Sequence, residues 1–289
     1  MEALFGPAGN SESFAARYKS SVDAPRFLKD MGLDCYEYQC GRGVAIGEQT
    51  AGALGAQARE HGIVLSLHSP YFINLSSPEP ERREKNIGYI TSSCQAASWM
   101  GADRVVVHCG GLTGQTRERA LDNTVSGLQD ALARMQELGL AHIRLCIETM
   151  GKVNVLGTLE EVIAICRSDE RLLPCIDFGH LNARTMGMTR TREQLGAVLD
   201  ALHDGIGSER SRVFHAHFSK IEYSGGGEVR HLTFADEQYG PEFEPLAELL
   251  AGRGLAPHII CESAGTQAED ALRMKKMYKQ AVLSTKEDV

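Results

Sequence analysis

Several patterns that would assign the 289-residue chain to a common class are missing from its sequence. The glycine-rich segments 41–43 and 225–227 lack the G-x-G-x-x-G and P-loop spacings, so they do not indicate a nucleotide-phosphate loop. The eight cysteines form no C-x-x-C pair and no disulfide framework, which predicts buried free thiols in a reducing compartment. No secretory signal pattern and no apolar run near the ~20 residues that span a bilayer is present. We therefore expect a cytoplasmic protein.

An excess of positive charge is also missing. Lys and Arg number 30 against 38 Asp and Glu, a formal net charge of −8. General attraction to nucleic acid or to an anionic membrane is therefore not expected, and a nucleic-acid substrate would require a local basic patch or bound cations.

Short β-rich apolar segments alternate eight times with segments of helical periodicity. Strands are predicted at 2–5, 34–38, 63–68, 103–108, 143–148, 172–177, 212–217 and 258–262. Helices are predicted near 12–31, 48–61, 79–100, 115–138, 158–168, 191–207, 241–253 and 266–283. Such alternation is typical of parallel βαβ units. Eight units with short, glycine-containing turns fit a closed barrel better than an open Rossmann-like sheet. We predict a (β/α)₈ barrel in one domain, 1–289.

Six consecutive predicted strands end at or near a side chain that can bind a metal. These side chains are His68, His108, Glu148, Asp177, His215 and Glu262. In a barrel the carboxyl ends of the strands meet at the face that carries the active site. A single member would usually be a structural hydrogen-bonding group, but buried acids and imidazoles packed together require compensating cations. The pattern predicts a shared metal site.

The ligand types narrow the choice of metal. Imidazoles and carboxylates without thiolates suit Zn²⁺, Mn²⁺ or Fe²⁺ better than Mg²⁺ or Ca²⁺. His180 and His231 add two imidazole candidates and favour zinc. His217 follows His215 by one pleat on the same side of the strand, and we expect it to lie behind the ligands at most.

Several segments together are similar to a known family. They are FGPAGN (5–10), HSPYFINL (68–75), VVVHCGG (105–111), CIETMG (146–151), CIDFGHLNARTMG (175–187), HAHFSK (215–220) and CES (261–263). With them the chain resembles the endonuclease IV (apurinic/apyrimidinic endonuclease family 2) group of the xylose-isomerase-like barrels. The resemblance implies a DNA-repair hydrolase that uses three zinc ions and a metal-bridging hydroxide to cleave phosphodiesters 5′ to abasic sites.

The resemblance also implies residue roles. His68, His108 and Glu148 resemble the ligands of a first zinc, and Glu148 would bridge to a second zinc. The second zinc would be held by Asp177, His215 and Glu262, and a third by His180 and His231. Glu148 and Glu262 would be the catalytic carboxylates. Arg42 and Tyr71 occupy positions that touch DNA in the family, and Lys220 is a further candidate substrate contact.

The chain departs from the family pattern at two positions. Val229 stands where the family has the aspartate of the third zinc. Its neighbour Glu228 is not expected to substitute, because adjacent side chains on an extended segment point to opposite sides. Thr149 stands where the family has an asparagine. The sequence accordingly predicts two or three zinc ions.

Two other interpretations remain open. A sugar isomerase or epimerase of the same superfamily would hold one Mn²⁺-like ion with Glu148, Asp177, His215 and Glu262. His68 and His108 favour the hydrolase, acting on abasic DNA or on a smaller phosphodiester, because proton transfer does not require their additional site. A non-catalytic barrel is the third interpretation. The polar segment 219–240 is either a solvated excursion or a lid over the substrate.

Overall fold

The computed structural model describes residues 2–287, and eight parallel strands form the central sheet. They are β1 (Leu4–Pro7), β2 (Cys35–Gln39), β3 (Val64–His68), β4 (Arg104–His108), β5 (Arg144–Glu148), β6 (Leu172–Asp177), β7 (His215–Phe218) and β10 (His258–Cys261). A separate antiparallel hairpin consists of β8 (Ile221–Ser224) and β9 (Gly227–His231).

Helices follow the strands around the outside of this sheet. They are α1 (Glu12–Ala15), α2 (Ala24–Met31), α3 (Glu48–His61), α4 (Pro80–Met100), α5 (Arg117–Glu137), α6 (Leu159–Arg167), α7 (Phe178–Arg184), α8 (Arg192–Arg212), α9 (Glu244–Gly252) and α10 (Gln267–Glu287), with a 3₁₀ turn at Ser21–Asp23.

The sheet curls into a nearly closed barrel. Strand β1 pairs with β10, and the order then runs through β7, β6, β5, β4 and β3 to β2. The seam between β1 and β2 is bridged by Ala8 and Glu37, and the Gly9 amide donates to the Glu37 carbonyl at 2.8 Å. The prediction of a (β/α)₈ barrel is confirmed.

Both faces of the strands are buried, which explains their nearly continuous apolar sequences. Val105 and Val107 belong to the large core shared with the helices, whereas Val106, Cys146, Leu173 and Cys175 form a separate small cluster inside the barrel. Alternation along each strand therefore divides the side chains between an outer core and an inner column. The inner column ends at the carboxyl face, where the metal-capable residues lie.

Local signals in the sequence position several helices as predicted. Thr158 and Glu161 form a capping box at the start of α6. Gly32, Gly62 and Gly101 end α2, α3 and α4 in the left-handed conformation. These stops return the chain directly to the next strand and keep the αβ connections short.

The structure differs from the sequence prediction around the seventh strand. Helix α8 continues across a non-helical Gly207 to Arg212, so β7 begins at 215 rather than at 212. Helix α7 follows β6 immediately and was not predicted. The 219–240 segment contains the β8–β9 hairpin in place of an irregular excursion.

All eight cysteines are buried free thiols, as predicted. Within residues 2–287, no helix combines the length and the apolar character that crossing a membrane requires.

Candidate metal centre

A cleft of about 560 Å³ opens at the carboxyl ends of the strands. Its floor carries the acidic and imidazole side chains of the predicted metal site. Among the lining residues are His68, His108, Glu148, His180, Glu228, His231 and Glu262. Four of the six strand-end residues found in the sequence, His68, His108, Glu148 and Glu262, therefore line one cavity.

Glu148 lies at the centre of this cleft and is 1% exposed. Its Oε2 atom is 3.2 Å from Nε2 of His68 and 3.0 Å from Nε2 of His108. Strands β3, β4 and β5 are neighbours in the sheet, so their last residues converge on this oxygen. The three side chains form a compact group that could hold one cation.

The second oxygen of Glu148 faces another group. Nδ1 of His217 lies 3.1 Å from Glu148 Oε1 and 3.5 Å from Glu262 Oε1. Together with Asp177, these residues place four ligand atoms within 4.8 Å of one another. Glu148 thus stands between two ligand groups and offers one oxygen to each.

The structure corrects the sequence prediction for strand seven. His217, rather than His215, forms a ligand group with Glu148, Asp177 and Glu262, and His217 pairs with Asp177 in the sheet register. His215 lies one inward-facing position deeper and donates from Nε2 to Glu37 at 2.9 Å. The two histidines share the inner face because the side-chain period of a strand is two, so only their depth differs. His217 therefore takes the position in this ligand group that the sequence analysis gave to His215, and His215 lies behind it.

A third group lies beside the first two. Nε2 of His180 is 3.4 Å from Glu228 Oε2, and Nε2 of His231 is 3.8 Å from Glu228 Oε1. These atoms form another set that could hold a cation. Glu228 therefore occupies the place for which the sequence offered only Val229, which is half exposed and faces away.

A β-bulge in the hairpin brings Glu228 to that side. Ile221 pairs with His231 and Tyr223 pairs with Glu228, while Val229 has no partner. Directly paired residues share a face, and Ile221 and Tyr223 also share one because they are two apart. The extra residue thus puts Glu228 and His231 on one face although they are three apart. The expectation that Glu228 does not substitute did not take this bulge into account.

Two glycines let the hairpin approach the strand-five loop. A Cβ on Gly227 would lie 2.1 Å from the Gly151 carbonyl oxygen, and a Cβ on Gly151 would lie 2.6 Å from Cβ of Glu228. The Glu228 amide donates to the Gly151 carbonyl at 3.1 Å. Larger residues at either position would push Glu228 away from His180.

Backbone carbonyls orient three of the imidazoles in the same way. Nδ1 of His68 donates to the Ser69 carbonyl at 2.7 Å, and Nδ1 of His108 donates to the Tyr71 carbonyl at 3.0 Å. Nδ1 of His180 donates to the Thr149 carbonyl at 2.9 Å. Carbonyl oxygens only accept, so in a neutral ring Nε2 carries the lone pair and is available to a cation. This arrangement of the second ring nitrogen is typical of metal-binding histidines.

The electrostatics of the cleft show strong coupling between acids and imidazoles. Burial would raise the pKa of Glu148, but His217 and His108 hold that pKa well below its usual range. Burial alone would lower the pKa of His68, yet its contact with Glu148 raises that pKa to about 9. Asp177 is different, because burial and the neighbouring Glu262 and Glu148 raise its pKa to about 6 despite His180.

The donor set fits divalent cations. Oδ2 of Asp177 is buried and makes no hydrogen bond, while Oδ1 is used to cap α7 through the His180 amide at 2.7 Å. Across residues 2–287, no Lys or Arg forms an ion pair with Glu148, Asp177 or Glu262. Buried carboxylates without a fixed cation are expected to need a bound one.

Another ligand-capable group, formed by Cys175, His215 and His217, lies enclosed inside the barrel. Burial raises the pKa of the Cys175 thiol well above its ordinary value. A protonated thiol is a poor metal ligand. The nitrogen and oxygen donors at the cleft are therefore the better candidates.

The three predicted substrate contacts have different locations. Tyr71 lines the cleft and is 58% exposed. Arg42 is exposed in the loop after β2, beside Gly41, but is not part of the lining. Lys220 is buried away from the cleft, where Nζ donates to the Asp236 carbonyl at 2.6 Å and lies 2.5 Å from Glu242 Oε1. The structure therefore does not bring Lys220 to the cleft.

The sequence interpretation overlooked Lys152. Its exposed side chain lines the cleft and forms no ion pair within the part of the chain that the structure describes. The only available signal was its position four residues after Glu148, in the loop that follows a strand with a candidate ligand. Such loops build the active sites of barrel enzymes.

The fold and the cleft define a (β/α)₈ barrel with clustered His, Asp and Glu at its carboxyl face. Residues 25–281 match the family model described as xylose isomerase-like TIM barrel. The chain belongs to this family.

Among its relatives is an uncharacterized protein of Methanocaldococcus jannaschii, 30% identical over 274 residues, which are 94% of this chain and 96% of the relative. A probable endonuclease 4 of Methanoculleus marisnigri is 30% identical over 220 residues, 74% of this chain and 76% of the relative. Against several other probable endonuclease 4 proteins the match covers about three fifths of the relative, for example 60% in Acholeplasma laidlawii.

Solved structures with the same fold include an epimerase-like protein and an endonuclease IV. A D-tagatose 3-epimerase-like protein aligns with TM-score 0.72 at 20% identity over 99% of both chains. Endonuclease IV from Thermus thermophilus aligns with TM-score 0.69 at 20% identity, over 97% of this chain and 99% of that chain. At this identity the alignments show the shared barrel and not the reaction.

Proposed function

We propose that the protein is a zinc-dependent phosphodiesterase of the endonuclease IV type, with DNA containing abasic sites as its substrate. The observation that carries the proposal is the position of Glu148. One carboxylate oxygen faces His68 and His108, and the other faces His217 beside Glu262. A carboxylate shared between two ligand groups is suited to a pair of divalent ions.

When bound, two such ions would lower the pKa of a water molecule and stabilise negative charge on a phosphate. In this proposal Glu148 and Glu262 are the catalytic carboxylates, because both face the space between the groups. The groups at the cleft supply the ligands His68, His108, Asp177, His180, His217, Glu228, His231 and Glu262. Lys152 contacts a substrate phosphate at the cleft wall, and Tyr71 packs against the substrate at its mouth.

The third group strengthens the hydrolase assignment. His180, Glu228 and His231 use the bulge to reproduce a His/carboxylate/His set where the sequence had suggested an incomplete one. A third cation there would also add positive charge to a chain whose net charge is −8. Bound cations would compensate for the missing basic surface.

A sugar epimerase is the second candidate. Glu148, Asp177, His217 and Glu262 form a complete four-ligand group for one Mn²⁺-like ion. Glu148 and Glu262 could then act as an acid/base pair across a sugar carbon. That reaction gives no role to the group of His68, His108 and Glu148, which is why the hydrolase is preferred.

The test combines a metal count with a cleavage assay. Protein reconstituted with zinc should carry two or three ions per chain and should cut a duplex that contains one tetrahydrofuran abasic analogue. Glu148→Gln should lower cleavage at least about 100-fold, because it removes a charge shared by two ligand groups. Glu137→Gln, at the exposed end of α5, is the matched control and should cleave normally.

Absence of cleavage by fully loaded protein would overturn the abasic-DNA assignment. Cleavage of bis-p-nitrophenyl phosphate without cleavage of the duplex would point to a smaller phosphodiester. One bound manganese together with conversion of a ketohexose would favour the epimerase.

A further inference from the structure

Glu37 is a buried carboxylate in the barrel interior, outside the cleft. It lies on β2 with no exposed surface. Its Oε2 atom accepts from Ser66 Oγ at 2.9 Å and from His215 Nε2 at 2.9 Å, while Oε1 accepts from Gln39 Nε2 at 3.0 Å. In the part of the chain that the structure describes, its only ion-pair partners are His215 and His217.

The remaining contact of Glu37 is with the candidate ligand His217. Nε2 of His217 lies 3.1 Å from Glu37 Oε1, off the line of an ideal hydrogen bond. Nδ1 of the same ring lies 3.1 Å from Glu148 Oε1. The imidazole of His217 therefore spans from the interior carboxylate to the metal group and uses one nitrogen for each.

The chemistry of the two nitrogens and a bound cation give this bridge a direction. Both nitrogens face a carboxylate, so the direction comes from the cation. A cation held with Glu148, Asp177 and Glu262 would take the lone pair of Nδ1, and a neutral His217 would then carry its proton on Nε2, the nitrogen that faces the acceptor Glu37. Elsewhere in the site backbone carbonyls perform this task for His68, His108 and His180. No backbone carbonyl accepts from His217 among the described residues.

We propose that Glu37 is a positioning residue of the metal centre, which fixes the tautomer and ring orientation of His217. The inference rests on the proposed function, since it assumes that a cation binds between Glu148, Asp177, His217 and Glu262. Histidine ligands commonly donate their second nitrogen to such a carboxylate, and loss of that partner typically lowers metal affinity by about 10–100-fold. Glu37 does not touch the substrate and is not a catalytic residue.

Glu37→Gln tests the inference with little change in volume. The amide keeps one acceptor oxygen but replaces the other by an NH₂ donor, so it cannot accept from both His215 and His217. Zinc affinity is measured by competition with chelators of graded strength, and bound zinc is counted by mass spectrometry. We expect one ion per chain to be released at about 10–100-fold lower chelator strength than in the wild type.

A spectroscopic measurement separates orientation from general destabilisation. In the Co²⁺-substituted protein, the ring N–H of a bound histidine gives a shifted, exchangeable proton NMR signal. The Nε2 proton of His217 should exchange slowly in the wild type and quickly, or be lost, in Glu37→Gln. Ser66→Ala is the matched control, because it removes a donor from Oε2 and leaves the contact between Oε1 and His217.

His217→Ala separates failure of this inference from failure of the proposed metal site. Suppose that His217→Ala releases one ion, while a correctly folded Glu37→Gln keeps its zinc affinity within twofold of the wild type and keeps the N–H signal. Glu37 is then only a structural partner of His215. If His217→Ala also retains every ion, the metal site itself is wrong. If Glu37→Gln does not fold, Glu37→Asp decides, since its shorter carboxylate withdraws from His217. Unchanged affinity and N–H signal in Glu37→Asp would overturn the inference.

Discussion

The bulge at Val229 gives a sharp prediction for the third ligand group. Exchanging the two residues, Glu228→Val with Val229→Glu, conserves composition and charge. It places a carboxylate two residues before His231, which is the spacing of the family resemblance. We nevertheless expect the third site to be lost. The bulge keeps position 229 on the solvent side, where Val229 is 51% exposed.

The expected loss of zinc affinity follows from the length of a glutamate side chain. A glutamate side chain reaches roughly 5 Å from Cα to its carboxylate oxygens, over four bonds of about 1.2–1.5 Å. From the outer face it cannot return through the strand to a site where zinc–ligand distances are about 2 Å. Removing one of three protein ligands should weaken zinc binding by on the order of 100-fold, which corresponds to about 2.8 kcal/mol. The fold should tolerate the exchange, because both positions lie on a hairpin outside the barrel sheet.

Zinc stoichiometry under graded chelators and the thermal midpoint together provide the assay. The exchange variant should lose one ion first and unfold near the wild-type temperature. Val229→Ala should retain that ion, because the bulge and Glu228 both remain. Deletion of Val229 should also retain it, since Glu228 and His231 then become two apart on a regular strand. Retention by the exchange variant, or loss on deletion, would refute the bulge argument.

Three further predictions concern the substrate, protons and acid stability. Lys152→Met should raise KM for a phosphodiester about tenfold, whereas Lys152→Arg should have a KM near that of the wild type. If Lys152→Met and the wild type have equal KM values, Lys152 is not a substrate contact. Because the pKa of His68 is about 9 without metal, zinc binding at pH 7.5 should release protons, detected calorimetrically as a dependence on buffer ionisation enthalpy; independence would contradict this. Burial and Arg104 lower the pKa of His258 to about 2. On acidification, His258 is therefore protonated in the unfolded chain at a higher pH than in the folded protein. As pH falls from 6.5 to 5, the wild type should lose up to about 2 kcal/mol of its free energy of unfolding, measured with denaturant. His258→Gln should lose less, and equal losses in the two proteins would contradict this prediction.

The fold was predictable because its signals are local and repeated. Apolar segments of strand length recur with helical segments between them, and left-handed glycines such as Gly62 and Gly101 mark the returns. The positions at the ends of β3 to β6 followed directly, since the last residue of each of these strands is a candidate ligand. His68, Glu148 and Asp177 therefore lie where the sequence placed them.

The histidine of strand seven was not predictable by the same argument. The predicted strand, 212–217, begins three residues before β7, because α8 continues past Gly207 to Arg212. Both His215 and His217 face inward, so alternation could not distinguish them. Only the register with β6, in which Asp177 is opposite His217, decides between them. Such pairing is a long-range property that one sequence does not contain.

The ligand groups also differ in how they depend on the fold. His217 is held from below by Glu37, within the column that fills the barrel, so substitutions there should change stability and metal affinity together. Glu228 and His231 lie on a hairpin outside the barrel sheet, so substitutions there should change metal affinity alone. The barrel therefore fixes the pair of groups that share Glu148, and the hairpin adds the third. This separation explains why the strand-end pattern revealed the first two groups in the sequence, while a single unpaired residue concealed the third.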